Sequence, residues 1–124
     1  MQPGGACDCP QGSTCYCETG EQPCSINCPE GFCDLQCAYE SIYCGLSCSY
    51  GCSAFCPDLS YCALNCDGGC TVVCLPNSIC EVSGIDVMQP TYIYCEMGAT
   101  CTCMGDPNAC FCEGPGFCQS SGMP

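Results

Sequence analysis

Cysteine is the residue type with the widest chemical scope in this sequence, which has 23 cysteines among 124 residues. A cysteine can act as a nucleophile, bind a metal as a thiolate or form a disulfide. Other reactive side chains are few, because the chain has no Lys, Arg or His, and 13 Asp and Glu give a net charge of −13. The spacing of the cysteines must therefore decide among three kinds of chemistry.

Catalysis is the least favoured of the three. Without His, Lys or Arg, the usual general bases and phosphate-binding groups are missing, and the disulfide-exchange motif CxxC does not occur. We expect no enzyme, no catalytic residue and no cofactor. The negative charge also excludes nucleic acid as a partner, since binding to phosphates requires cationic side chains.

Disulfide formation is favoured by the composition. A cysteine content this high is typical of disulfide scaffolds, which form in oxidising compartments. The chain also has too few large aliphatic residues to build an ordinary core at this length. We therefore expect an extracellular protein, secreted or on the cell surface. No apolar run is long enough for a membrane span.

The cysteines follow an internal repeat. CGLSCSYGCSAFC at residues 44–56 and CALNCDGGCTVVC at residues 62–74 share all four cysteines at an offset of 18. Each repeat holds two pentads, such as CALNC and CTVVC, in which the first, third and fifth residues are Cys, an aliphatic residue and Cys. This alternation is typical of a strand with one buried face, whereas Gly51 and Pro57 would interrupt a helix.

Glycine ends the short turn between the two pentads of each repeat. A positive φ at such a corner favours glycine, and the predicted turn glycines are Gly12, Gly31, Gly51 and Gly69. The sequence thus predicts an all-β fold, a disulfide-rich narrow β-solenoid of about six coils of ~18 residues each. We expect one domain, 1–124, with a degenerate first coil (1–23), three regular coils (24–79), an irregular wide coil (80–99), and a degenerate last coil and tail (100–124).

Facing cysteines in a thin coil are expected to pair. The nested scheme joins the inner cysteines across each corner: Cys9 with Cys15, Cys28 with Cys33, Cys48 with Cys52, Cys66 with Cys70, and Cys103 with Cys110. It then joins the outer ones: Cys7 with Cys17, Cys24 with Cys37, Cys44 with Cys56, Cys62 with Cys74, Cys80 with Cys95, and Cys101 with Cys112. Cys118 remains, on a Gly- and Pro-rich tail, as the candidate intersubunit thiol. The alternative is bridging between cysteines stacked in adjacent coils.

Three other functions are compatible with parts of the sequence. The CxC pairs at both ends resemble metallothionein, but the periodic aliphatic residues favour a packed interior over a metal-thiolate store. The solenoid with TCT at residues 100–102 is similar to the insect antifreeze solenoids, which would imply ice binding, yet the triplet occurs once. Calcium is compatible with turn acids such as Glu30, Asp58 and Asp67 but is not predicted, and no metal site is expected.

The leading hypothesis is a structural protein. The chain shows no cap for the ends of a solenoid, and open ends allow coils of different molecules to stack into a homopolymer. We expect a secreted, self-assembling subunit of a disulfide-stabilised filament, appendage or coat. A monomeric secreted binding module is the alternative.

Overall fold

The structure, a computed structural model, describes residues 6–16, 24–38, 40, 42–84, 88–105 and 110–120. Within these ranges all regular structure is β-strand, and no helix is long and apolar enough to cross a membrane. The strands are β1 (Ala6–Asp8), β2 (Thr14–Tyr16), β3 (Cys24–Cys28), β4 (Asp34–Gln36), β5 (Cys44–Cys48), β6 (Ser53–Cys56), β7 (Tyr61–Cys66), β8 (Thr71–Cys74), β9 (Ile79–Gly84), β10 (Thr91–Cys95), β11 (Thr100–Gly105), β12 (Cys110–Glu113) and β13 (Phe117–Ser120).

The strands alternate between two parallel sheets, as the solenoid prediction requires. The seven odd-numbered strands form the first sheet in chain order, and the six even-numbered strands form the second. The predicted β-solenoid is therefore confirmed, with about five turns of about 19 residues. The repeat length varies along the chain, since Cys62 registers with Cys80 but Cys80 registers with Cys101.

Aliphatic side chains fill the centre of the coils and cysteines fill both edges. The buried central side chains of the first sheet are Ile26, Leu46, Leu64 and Val82, and those of the second sheet are Leu35, Ala54, Val72 and Ile93. The neighbours of each central residue along its strand point outward, as in CSINC of β3, whose burial alternates strictly. This alternation lets a chain of small side chains enclose a narrow interior.

The predicted tail is partly a strand. β13 pairs in parallel with β11, and Cys118 registers with Cys101. The tail prediction was wrong here because the Gly- and Pro-rich stretch before β13 is a turn between strands. Glycine and proline do not distinguish a chain end from a corner.

All four predicted turn glycines have positive φ, between 72° at Gly69 and 85° at Gly31. They differ in the space around them. A Cβ at Gly31 would lie 2.6 Å from the carbonyl oxygen of Tyr50, whereas a Cβ at Gly12 would meet nothing within 4 Å. The corner at Gly31 is therefore tightly packed against the neighbouring coil, whereas the corner at Gly12 is not.

This difference predicts unequal costs for two similar substitutions. Gly12→Ala should destabilise the protein by about 1–2 kcal/mol through the left-handed backbone alone. Gly31→Ala should cost more, because the neighbouring coil must also move away from the methyl group. Guanidinium denaturation followed by circular dichroism measures both, and equal midpoints for the two variants would contradict the packing argument.

Thr91 occupies a strand position at which the neighbouring coils have a cysteine. It is in register with Cys110 of β12. On its other side, the backbone amide of Tyr92 donates a hydrogen bond to the carbonyl of Cys70. Its side chain is completely buried, and its hydroxyl has no hydrogen-bond partner in the described part of the chain. An unpaired buried hydroxyl destabilises the folded state.

Thr91→Val should therefore stabilise the protein by about 1 kcal/mol, because it removes the unpaired hydroxyl at nearly constant volume. Thr71→Val is the matched control, since Thr71 is exposed on the adjacent β8. A higher denaturation midpoint for Thr91→Val, with no change for Thr71→Val, is the expected result. A loss of stability in Thr91→Val would show that the hydroxyl has a partner in the native protein.

Candidate functional site

Ten disulfides lie among the described residues. They join Cys9 to Cys15, Cys28 to Cys33, Cys37 to Cys44, Cys48 to Cys52, Cys56 to Cys62, Cys66 to Cys70, Cys74 to Cys80, Cys95 to Cys101, Cys103 to Cys110 and Cys112 to Cys118. Cys24 is disulfide-bonded as well. The predicted pair of Cys7 with Cys17 lies outside the described side chains. So many bridges indicate an oxidising environment.

The five inner bridges predicted across the short corners are present. Each joins a strand of the first sheet to the next strand, in the second sheet, as Cys48 at the end of β5 is joined to Cys52 just before β6. Two inward-facing cysteines on either side of a tight corner lie within disulfide reach, here with a Cα separation of 6.4 Å. Corner spacing therefore suffices to predict these five.

The outer pairs of the nested scheme were wrong. Cys24 with Cys37, Cys44 with Cys56, Cys62 with Cys74, Cys80 with Cys95, and Cys101 with Cys112 are all replaced by bridges to a cysteine of the neighbouring turn. The reason is that the turn into the next coil is also short. Only residues 57–61 separate Cys56 from Cys62, and their Cα atoms are 6.1 Å apart. Each described bridge therefore joins cysteines that are consecutive in sequence.

Cys118 is not a free thiol, which corrects its assignment as the intersubunit thiol. β13 brings it into the first sheet, where it is bonded to Cys112 of β12. Both cysteines are only partly buried, whereas the cysteines of the other nine described bridges are buried. The Cys112–Cys118 bridge is thus the most accessible one described.

The bridges stack on one another along the two edges of the solenoid. Three sulfur atoms lie within 4.8 Å of one another in each of five groups: Cys28, Cys48 and Cys52; Cys48, Cys66 and Cys70; Cys37, Cys44 and Cys62; Cys74, Cys80 and Cys101; Cys95, Cys101 and Cys112. The Sγ atoms of Cys37 and Cys62, in different bridges, are 3.2 Å apart. A metal would need these sulfurs as thiolates, and each is already bonded to another sulfur. We call these stacks the disulfide columns.

The outermost strands have open edges. In the described residues β1 pairs only with β3 and β13 only with β11, while β2 and β12 likewise have one neighbour each. The other edges of these four strands carry backbone N–H and C=O groups available to another strand. We call these the end edges.

The outer faces of the two sheets differ in character. The first sheet presents small polar side chains, including Ser25, Asn27, Ser47 and Asn65. The second presents exposed aromatic rings, namely Tyr16, Phe55, Tyr92, Tyr94 and Phe111. The rings of Tyr92 and Phe111, on neighbouring coils, have centroids 5.5 Å apart. Among the described residues, the exposed aromatic surface is therefore broader on the second sheet.

A shallow groove of about 300 Å³ crosses the outer face of the first sheet. Its floor contains Gly45 and Ala63, and the Tyr43 ring lies so close over Gly45 that a Cβ there would be 3.1 Å from it. Tyr61 packs against Tyr43, and its side-chain hydrogen bond with Glu81, reinforced by burial, raises the pKa of Tyr61. Among the described residues that line the groove, Glu81 is the only carboxylate.

No protein-family model, curated protein or solved structure matches this chain. Sequence reasoning predicted the corner bridges and the open ends but missed the bridges between coils and the groove. The available signal was Gly45, a glycine at an outward strand position where a strand would ordinarily carry a side chain.

Proposed function

We propose that this protein is a secreted structural subunit that stacks end to end into a disulfide-reinforced extracellular filament, appendage or coat. The observation that carries the proposal is the presence of end edges on both sheets at both ends of the described solenoid. A strand of one molecule can pair there with a strand of the next, continuing the parallel ladder. Because the two ends of a solenoid differ, this contact does not close and builds a filament.

The disulfides support a role that needs durability. The described bridges close loops with sequence separations of only 4 to 7 residues. In the chain-entropy account, loops of this size stabilise the folded state by about 2 kcal/mol each. Since the loops follow one another without overlapping, their contributions add. Such cross-linking suits a protein that must persist outside the cell.

The cysteine count supports covalent joints between subunits. With 23 cysteines, an odd number, pairing within one chain leaves at least one cysteine over. Cys118 is not that cysteine, because it is bonded to Cys112. Cys24 is also disulfide-bonded, so the remaining candidates lie among the other cysteines outside the described bridges.

The net charge of −13 opposes association. The chain has no cationic side chain to neutralise this charge, so subunits repel one another at low ionic strength. Salt shortens the range of the repulsion from about 30 Å at 0.01 M to about 3 Å at 1 M. We therefore expect the filaments to be longer at higher salt.

The test combines negative-stain microscopy with intact mass spectrometry of native, non-reduced protein at 0.01 and 1 M NaCl. Filaments one solenoid wide, longer at high salt, support the proposal. An intact mass that corresponds to oxidised cysteines shows that the subunit of these filaments is the disulfide-bonded form. Monodisperse monomers at both salt concentrations would overturn it.

A monomeric secreted binding module is the second candidate, and the groove between Tyr43 and Glu81 favours it. Ice binding is a poor use of that face. The outward positions in register with Thr102 are Glu81 and Gln119, so no threonine ladder forms beside it. If the microscopy shows monomers, the binding-module function at this groove is favoured.

A further inference from the structure

We propose that the Cys112–Cys118 bridge is a thiol-exchange site, and that Cys101 connects it to two bridges deeper in the same disulfide column. The chemistry is nucleophilic attack on a disulfide by an external thiolate. The inference does not depend on filament formation, because it concerns reactions within one subunit. It rests on the exposure of one bridge and on the spacing of the sulfurs behind it.

Exposure selects the point of attack. Thiol–disulfide exchange requires the attacking thiolate to reach a disulfide sulfur. Cys112 and Cys118 are both partly exposed, while the cysteines of every other described bridge are buried. An incoming thiolate therefore meets this bridge first.

The first step is balanced without an oxidant. A thiolate attacks Sγ of Cys118, forming a mixed disulfide with Cys118 and breaking the Cys112–Cys118 bond. The electron pair of the broken bond leaves on Sγ of Cys112 as a thiolate. One disulfide is consumed and one is formed, so the external thiol is the only co-reactant.

The released thiolate has a second disulfide within reach. Sγ of Cys112 lies within 4.8 Å of the Sγ atoms of both Cys95 and Cys101. Attack on Cys95 forms a bond between Cys112 and Cys95, breaks the Cys95–Cys101 bond and leaves a thiolate on Cys101. This step again conserves the number of disulfides.

Cys101 belongs to two sulfur groups and so continues the relay. Its Sγ also lies within 4.8 Å of those of Cys74 and Cys80. Attack on Cys80 forms a bond between Cys101 and Cys80 and leaves a thiolate on Cys74. Among the described residues no such sulfur group joins these three bridges to the bridge of Cys56 with Cys62. The relay therefore covers three bridges.

The test uses the folded, oxidised protein and one equivalent of 2-mercaptoethanol, a neutral monothiol. Acid quenching, alkylation with N-ethylmaleimide and mass spectrometry then locate the adduct and the free thiol. Digestion must use chymotrypsin and pepsin, because the chain has no Lys or Arg for trypsin. We expect the adduct on Cys112 or Cys118 and alkylated thiol also on Cys74, Cys80, Cys95 or Cys101.

Three double variants separate the two parts of the proposal. Removing the exposed bridge (C112S with C118S) should slow initial adduct formation at least tenfold. Removing the buried corner bridge (C66S with C70S) should leave the rate unchanged. Removing the middle bridge (C95S with C101S) should keep the adduct but eliminate alkylation at Cys74 and Cys80.

Two results in the unsubstituted protein would overturn the proposal. Adduct spread evenly over all bridges would show that Cys112 and Cys118 are not the point of attack. Free thiol confined to Cys112 and Cys118 would show that no relay exists. Incubation without added thiol distinguishes the two sources of the attacking thiolate. Chains joined through Cys118 indicate a second copy as the donor. Their absence, with adducts formed only when 2-mercaptoethanol is added, indicates a small thiol.

Discussion

Complete reduction of the folded protein without denaturant is expected to abolish its β-sheet signal. The ten described bridges, at about 2 kcal/mol each, contribute about 20 kcal/mol in the chain-entropy account. This exceeds the 5–15 kcal/mol that is typical for the net stability of a whole domain. The eight central aliphatic residues, spread over thirteen strands, cannot replace them.

The measurement is far-ultraviolet circular dichroism during titration with a phosphine reductant at neutral pH. The matched control is the same protein treated with the oxidised reductant, which should retain its spectrum. We expect the signal to disappear at full reduction and to return when the thiols are reoxidised. A fully reduced chain that keeps its strand signal would show that the aliphatic columns suffice to hold the fold.

Substituting Ser120 by proline is expected to stop filament growth without unfolding the subunit. The amide of Phe117 donates to the carbonyl of Ala99 at 2.9 Å, toward β11. Amides alternate in direction along a parallel strand, so those of Cys118 and Ser120 point away from β11, toward the end edge. Proline at 120 removes one of these donors and obstructs the approach of another strand.

Two substitutions in β13 serve as controls. Ser120→Ala keeps the backbone amide and should polymerise normally. Gln119→Pro removes an amide that faces β11 and should destabilise the subunit itself. Particle lengths by negative-stain microscopy and denaturation midpoints distinguish these effects. Unchanged filaments of Ser120→Pro would show that subunits do not associate through this edge.

The strands and glycine corners could be predicted because each depends on local chemistry. Alternation in CSINC fixes which face is buried, and Gly31 marks a positive φ whatever surrounds it. The outer pairings could not be predicted in the same way. Whether Cys56 meets Cys44 or Cys62 depends on how the chain rises into the next coil, which no pentad encodes.

The candidate site could be predicted only in part, for a similar reason. The end edges could be expected because the cysteine pattern of the strands continues into the outermost described coils. The groove, in contrast, depends on Tyr43 lying over Gly45 and on Tyr61 reaching Glu81, one coil away. The contacts of Tyr61 with Tyr43 and Glu81 depend on the register between neighbouring coils, as the pairing of Tyr61 with Ile79 shows, and only the contact of Tyr43 with Gly45 is local in sequence.

Pairing between consecutive cysteines also determines how the protein would respond to a mechanical pull. Each described bridge closes its own short loop before the next begins, so tension between distant parts of the chain passes through the sulfur–sulfur bonds in series. The residues inside each loop bear no tension, and they cannot lengthen the chain when it is pulled. Only the segments between loops can extend, which gives a short, stiff tether until a covalent bond breaks or exchanges.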